Sequence, residues 1–369
     1  MAHIIHGECE AAMNLRAYSA GAIGPGQGRE HYRRLVRRRQ LILAGLVLAL
    51  AGSFCLDLAV GPASYPLADV LRALIAPETV PQQLRVVLWE IRMPVALMAV
   101  MVGAALSVAG AQMQTVLSNP LASPFTLGIS AAASFGAALA LAFGIALVPA
   151  ATEYIVPINA FIMAMFAALL IHMLSARRGV TVETVVLLGI ALVFTFNALL
   201  ALVQFFASAE ALSAVVFWTM GSLTKATWSK LAVTALVLAA VLPIFAWRSW
   251  ALTALRLGED KAASFGIKVS RLRLETLLLV SLLASIPVAF VGTIGFVGLV
   301  GPHIARMVIG EDQRFFLPAS ALCGALILSA SSVVSKTLMP GMIFPIGIVT
   351  SLVGIPFFFS LILSSARRA

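Results

Sequence analysis

The chain has 369 residues, of which 61% are hydrophobic and 11% charged, and it carries a formal net charge of +10. A water-soluble domain of this length needs far more polar surface, so composition excludes an ordinary soluble enzyme and makes lipid the solvent for most of the chain. The basic excess would also suit nucleic acid, but the basic residues gather in short segments between apolar runs, which fits membrane orientation instead.

Residues 1–39 are polar and end in the basic run Arg33, Arg34, Arg37, Arg38 and Arg39. No early small-residue cleavage site follows a short basic stretch, so a cleavable signal is not predicted; the segment reads as a disordered cytosolic extension. A membrane domain is predicted over residues 40–369. A span needs about 20 mainly apolar residues, and the first candidate is Leu41–Leu56. Met93–Thr152 has no Asp, Glu, Lys or Arg. It is too long for one helix and is punctuated by Asn119-Pro120 and Pro124, which gives two spans, near 93–115 and 124–147. Further spans fall near 154–176, 184–206 and 231–247. The run 276–305 contains Pro287, Gly292, Gly295, Gly298, Gly301 and Pro302. It reads as most of one helix, a re-entry near Gly292–Gly295, and a shorter helix to about 309. The last two spans are near 315–335 and 344–364, which makes ten.

With both termini in the cytosol, 19 of the 25 Lys and Arg residues fall in cytosolic segments. The remaining six are Arg72, Arg85, Arg92, Lys225, Lys230 and Lys336. This asymmetry obeys the positive-inside rule. Residues 208–225 are too interrupted to cross and suit an outer interfacial helix with Phe217 and Trp218. Residues 257–268 read as a short cytosolic helix with an acidic start, Glu259-Asp260, and a stop at Gly266. Cys9, Cys55 and Cys323 are far apart and give neither a disulfide framework nor a metal knuckle. His172 and His303 have no second ligand at helical spacing, so no metal site is expected. No Walker-type G-x-x-x-x-G-K-[ST] sequence occurs, and no catalytic pair lies within the spans, so no catalytic residue is expected.

Four blocks in chain order resemble the permease family of iron-siderophore, haem and cobalamin ABC importers. The first is Arg92-Met93-Pro94 with Gly103-Ala104-Ala105-Leu106, Gly110, Gln114, Asn119-Pro120-Leu121-Ala122-Ser123-Pro124 and Leu127-Gly128-Ile129-Ser130. The second is Leu257-Gly258-Glu259 through Phe265-Gly266-Ile267, the third Gly295–Arg306 with Gly298, Gly301 and Pro302, and the fourth Pro345–Thr350 with Gly354–Phe358. The resemblance implies an all-α polytopic permease with ten transmembrane helices and a cytosolic coupling helix between helices 6 and 7. It further implies a homodimer in the bacterial inner membrane, two cytosolic ATPase subunits, and a periplasmic substrate-binding protein. ATP and Mg would bind at the ATPase; this chain would hold no cofactor and no nucleic acid.

On that likeness Asn119, Pro120 and Leu121 form a cytosolic gate. Leu257, Gly258, Glu259, Ala262, Phe265 and Gly266 couple to the ATPase. Arg92 and Lys336 dock the binding protein, and Gly103, Gly110, Gly295, Gly298, Gly301 and Pro302 serve helix packing. Departures from the family pattern are Val95 in place of a second arginine, Ser332 in place of an aspartate, and Ile343 or Phe344 where a glutamate is common. The cargo implied is a siderophore, with haem or cobalamin as alternatives in the same family. A proton- or ion-coupled secondary transporter is the reading from another class, since broken helices near Pro120 and Gly295–Pro302 would also fit an inverted repeat. Against it, no carboxylate or histidine cluster falls at mid-membrane.

Overall fold

The structure is a computed structural model that describes residues 25–63, 65–149, 151–175, 181–339 and 341–366. The chain divides into two units, residues 1–44 and 45–369. In the first, the described residues form the beginning of helix α1, Pro25–Ala59, with an exposed Glu30–Arg34 ion pair at 3.6 Å, one helical turn apart. Residues 25–39 are thus helical, where a disordered extension was expected. Residues 1–24 lie outside the described residues.

The second unit is built from helices joined by short irregular segments. After α1 come α2, Leu67–Ile75, and α3, Gln82–Val86, which runs through a π-helical stretch, Val87–Arg92, into α4, Met93–Val116. Pro94 explains part of that widening. It has no N–H to give the carbonyl of Glu90, so a regular α-turn cannot close there. There follow α5, Ile129–Phe143; α6, Thr152–Ser175; α7, Val182–Phe206; α8, Ala209–Thr219; and α9, Trp228–Trp247. Next are the short α10, Ser249–Leu255, and α11, Glu259–Ser264. The chain ends with α12, Val269–Val291; α13, Val297–Ile309; α14, Gln313–Thr337; and α15, Ile346–Ala366. Side-chain caps set several starts: Thr181, Ser208, Thr227 and Asp312 each accept from a backbone N–H two or three residues on, as N-caps do.

A helix stands at each of the ten predicted span positions. Among the described residues, seven helices are long and apolar enough to cross a membrane. Helices α5 and α13, and the stretch Ile346–Phe357 of α15, are apolar but shorter. The predicted span 124–147 is trimmed at both ends. Ser123 and Thr126 exchange hydrogen bonds that hold a turn, Gly128 at φ 80 starts the helix, and Gly144 at φ 65 stops it. The N–H groups of Gly144 and Ile145 close back onto Ala140 and Leu139 in the glycine-capped ending common to helices. The break in the 276–305 run falls at 292–296, between α12 and α13, and is marked by Gly292 at φ 78 and by Phe296, which also has positive φ.

The centre is α4. Its face carries Val102, Ala105, Leu106, Val108 and Ala109, all buried, against α12, α13 and α14. Outer helices expose equally apolar side chains, among them Leu187, Phe194, Leu202 and Phe205 of α7 and Leu352 and Val353 of α15. A protein apolar both inside and out is at home in lipid, where burial of apolar surface no longer separates core from exterior. Helix association then depends on close approach, and small residues provide it. A Cβ added at Gly103 would overlap the carbonyl of Gly324, and one at Gly110 would overlap the carbonyl of Gly298. Gly301 and Gly324 both back onto Ser107, whose hydroxyl donates to the Ser320 carbonyl at 2.6 Å.

Candidate functional site

The turn that leaves α4 is the first part of the site. Leu117 and Asn119 donate back to the carbonyls of Met113 and Gln114, and Ser118 takes φ 44. Asn119 caps the turn with its own side chain: Oδ1 accepts from the Leu121 N–H at 2.9 Å. This Asx turn sets the chain for Pro120 and leaves Pro120 and Leu121 exposed. The residues that follow, Ser123, Phe125 and Thr126, line one side of an open groove of ≈770 Å³. Its other walls include Thr219, Thr293, Phe296 and Ser351. Hydroxyls and apolar side chains line the groove, and none of the described lining residues is charged. Phe296 is held in its left-handed conformation with its ring against Gly354, where a Cβ would collide with it.

The second part lies at the same end of the bundle. Gly258 at φ 109 and Gly266 at φ 80 bound α11, a conformation that side chains with a Cβ resist. Between them Ala262 is fully buried, whereas Leu257 is 58% and Phe265 54% exposed. The Phe265 ring lies 6.1 Å from that of exposed Trp250. An apolar edge is therefore presented on a short helix whose opposite side is anchored. Glu259 pairs with Arg273 of α12, and Arg273 Nε donates to the carbonyl of Val116, the last residue of α4, at 3.1 Å. Gly258 and Glu259 thus stand one arginine away from the turn. Arg306 Nη2 donates to Gln114 Oε1 at 3.0 Å, and the Gln313 side chain bridges Gln112 and Thr115.

A family profile for the FecCD transport family matches residues 46–364. The chain belongs to the FecCD transport family. An ABC transporter permease protein from Methanocaldococcus jannaschii is 38% identical over 346 residues, spanning 92% of this chain and 99% of that one. The hemin transport system permease protein of Yersinia pestis is 36% identical, over 76% of this chain and 84% of its own. A solved inward-facing structure of a metal-chelate type ABC transporter superposes with a TM-score of 0.77 at 30% identity, covering 88% of this chain and 99% of that one.

Within this FecCD chain the two cations expected at a docking surface point inward. Arg92 donates to the carbonyls of Leu58, at 2.7 Å, Ala59, at 2.9 Å, and Ala63. Its guanidinium lies 5.0 Å from the Tyr65 ring centroid. Helix α1 ends there, and its last carbonyls lack partners within the helix, so the planar fork of an arginine satisfies several at once. Lys336 Nζ donates to Asp57 Oδ1 at 2.8 Å and to the Asp57 carbonyl at 3.1 Å. Its helix neighbour Ser332 carries no charge, and the counter-ion comes from α1 instead. Both cations line a pocket of ≈320 Å³ together with Val95, Ser332 and Ile343. As placed, both are held by partners from within the fold.

Of the residues expected in helix packing, Gly103, Gly110, Gly298 and Gly301 sit at close crossings, and Pro302 is buried in α13. Gly295 does not. Its nearest neighbour for an added Cβ is Ser351 Oγ at 3.9 Å, and it borders the groove. Missed in the sequence were Gly324, Asp57 and the arginines 256, 273 and 306. The signal for the arginines was present in their placement at helix ends, but their partners are distant in sequence.

Proposed function

We propose that this chain is the transmembrane permease subunit of an ATP-driven importer. It moves an iron chelate, a siderophore in the first place, inward across the cytoplasmic membrane. It acts as a homodimer with ten spans per subunit and both termini in the cytosol, joined by two ATPase subunits that bind ATP and Mg and by a periplasmic binding protein. The observation that carries this reading is the exposed apolar edge of α11, tied to the end of α4 through Arg273, which pairs with Glu259 and donates to the Val116 carbonyl, in a chain of the FecCD family. A rigid element that protrudes and is anchored at its back can pass a nucleotide-driven movement of a partner into the bundle. The groove supports the chelate. An uncharged wall of hydroxyl and apolar groups binds a large solute weakly enough to release it, and two copies facing each other would enclose such a path. Family membership weighs against an ion-coupled secondary transporter. Haem is the second reading, favoured by the likeness to the hemin permease.

In the transporter assembled with its ATPase in vesicles, Gly266→Pro is expected to leave ATP hydrolysis running while chelate uptake falls about tenfold or more, since proline cannot adopt φ 80 and α11 must lose its ending. Phe265→Asp should act in the same direction by placing a charge on the apolar edge. Uptake at the unmodified rate in both variants would remove the coupling role. Labelled ferric siderophore, haem and cobalamin offered side by side would rank the cargo.

A further inference from the structure

Two arginine relays flank the Leu257-Gly258 pair, and both end on the last turn of α4. On one flank, Glu259 pairs with Arg273, whose Nε donates to the Val116 carbonyl at 3.1 Å. On the other, Arg256 grips Glu311 with two donors, Nε at 3.2 Å and Nη2. Glu311 Oε1 also forms an ion pair with Arg306 Nε at 3.0 Å, without hydrogen-bond geometry, and Arg306 Nη2 donates to Gln114 Oε1 at 3.0 Å. The side chains of Arg273, Arg306 and Arg256 are only 13%, 18% and 22% exposed. Their carboxylate partners Glu259 and Glu311 are 52% and 43% exposed, so the pairs are half-buried and less screened than fully exposed ones. The Val116 carbonyl is one of the acceptors left open at a helix end, and two residues later Ser118 already sits at positive φ. A shift of that helix end must therefore be absorbed by the turn that carries Asn119 and Leu121.

We infer that these two relays transmit displacement of the 256–259 segment to the end of α4, and that Arg273 and Arg306 are the positioning residues that couple α11 to the gate turn. This rests on the coupling reading above and gives it a material path. The neighbouring cluster serves as an internal contrast. Arg271 and Arg248 both pair with Glu275, at 2.7 and 2.6 Å, and none of the contacts found for the three reaches α4. Arg271 stands two residues before Arg273 in the same helix and is equally charged, yet it lies off the path.

The test uses the full transporter with its ATPase subunits in vesicles, native cysteines replaced by alanine, and Leu121→Cys as the reporter. Two quantities are read: the ATP-dependent change in the rate at which a thiol reagent labels position 121, and the ATP hydrolysed per chelate moved. Arg273→Met is expected to reduce the labelling change about fivefold or more while hydrolysis continues, with Arg273→Lys intermediate, because lysine keeps the charge but not the fork. Arg306→Met should act alike, and Arg271→Met should leave both quantities unchanged. If Arg273→Met does not assemble, Glu259→Gln carries the same test, since it weakens the Glu259 link and leaves the Val116 contact in place. A full labelling change in both Arg273→Met (or its substitute) and Arg306→Met overturns the relays and leaves the gate reading intact. No ATP-dependent change at position 121 in the otherwise unmodified protein overturns the gate reading and the relays together.

Discussion

Gly110→Val protein is expected not to yield a stable, monodisperse permease. Gly110 meets α13 where a Cβ would overlap the carbonyl of Gly298. The obstacle is backbone on both sides, so no side chain can swing away to make room. Overpacking of a close crossing costs about 1–3 kcal/mol where neighbours can yield and more where they cannot. The loss is compounded because the α4–α13 approach aligns α4 with α14 through Gly103 and Gly324. In lipid this close packing is itself a main source of helix association. Gly45→Val is the matched control: the same substitution in another apolar helix, at a site where an added Cβ meets nothing within 4 Å. Thermal unfolding in detergent, followed by size-exclusion chromatography, should show Gly110→Val unfolded or aggregated and Gly45→Val like the parent. Equal behaviour of the two variants would contradict the packing described here.

Breaking the Asp57–Lys336 pair has the second large effect. Asp57 is 0% and Lys336 8% exposed at the side chain, and they meet at 2.8 Å. Removing one member leaves the other charge buried without its direct partner, which costs about 3–5 kcal/mol. Lys336→Met and Asp57→Asn are each expected to lower stability by about that amount, whereas Asp57→Leu combined with Lys336→Met should recover most of it, because two apolar groups need no desolvation. The signature is the non-additivity, read from denaturant or thermal unfolding of the purified single and double variants. Single variants within about 1 kcal/mol of the parent, or a double variant at the sum of the singles, would show the pair to be solvated rather than buried.

Much of this architecture is legible in the sequence, and the reasons are physical. Apolar runs near the length of a bilayer crossing mark helices, and Asn119-Pro120 and Pro124 mark the turn between two of them. The break at 292–296 is announced by Gly292 and Gly295. Helix boundaries were less legible where local hydrogen bonds override the apolar pattern, as at Ser123 and Thr126, whose hydroxyls bond each other's backbone and delay α5 to Ile129. Arg92 shows a different limit. At the mouth of a helix an arginine looks like a surface cation, and only the fold brings the carbonyls of Leu58, Ala59 and Ala63 within its reach. The same holds for Lys336 and Asp57, 279 positions apart in sequence, and for the relays through Arg273 and Arg306. Contacts between distant segments leave no local pattern in the chain, so the residues that join the α11 segment to α4 emerge only in three dimensions.

Transport itself tests the central claim most directly. Vesicles containing this chain with its ATPase subunits, loaded on the binding-protein side with a labelled ferric chelate and its binding protein, should move the label to the ATPase side only when ATP and Mg are supplied there. Movement driven by a proton gradient with the ATPase absent would contradict the account.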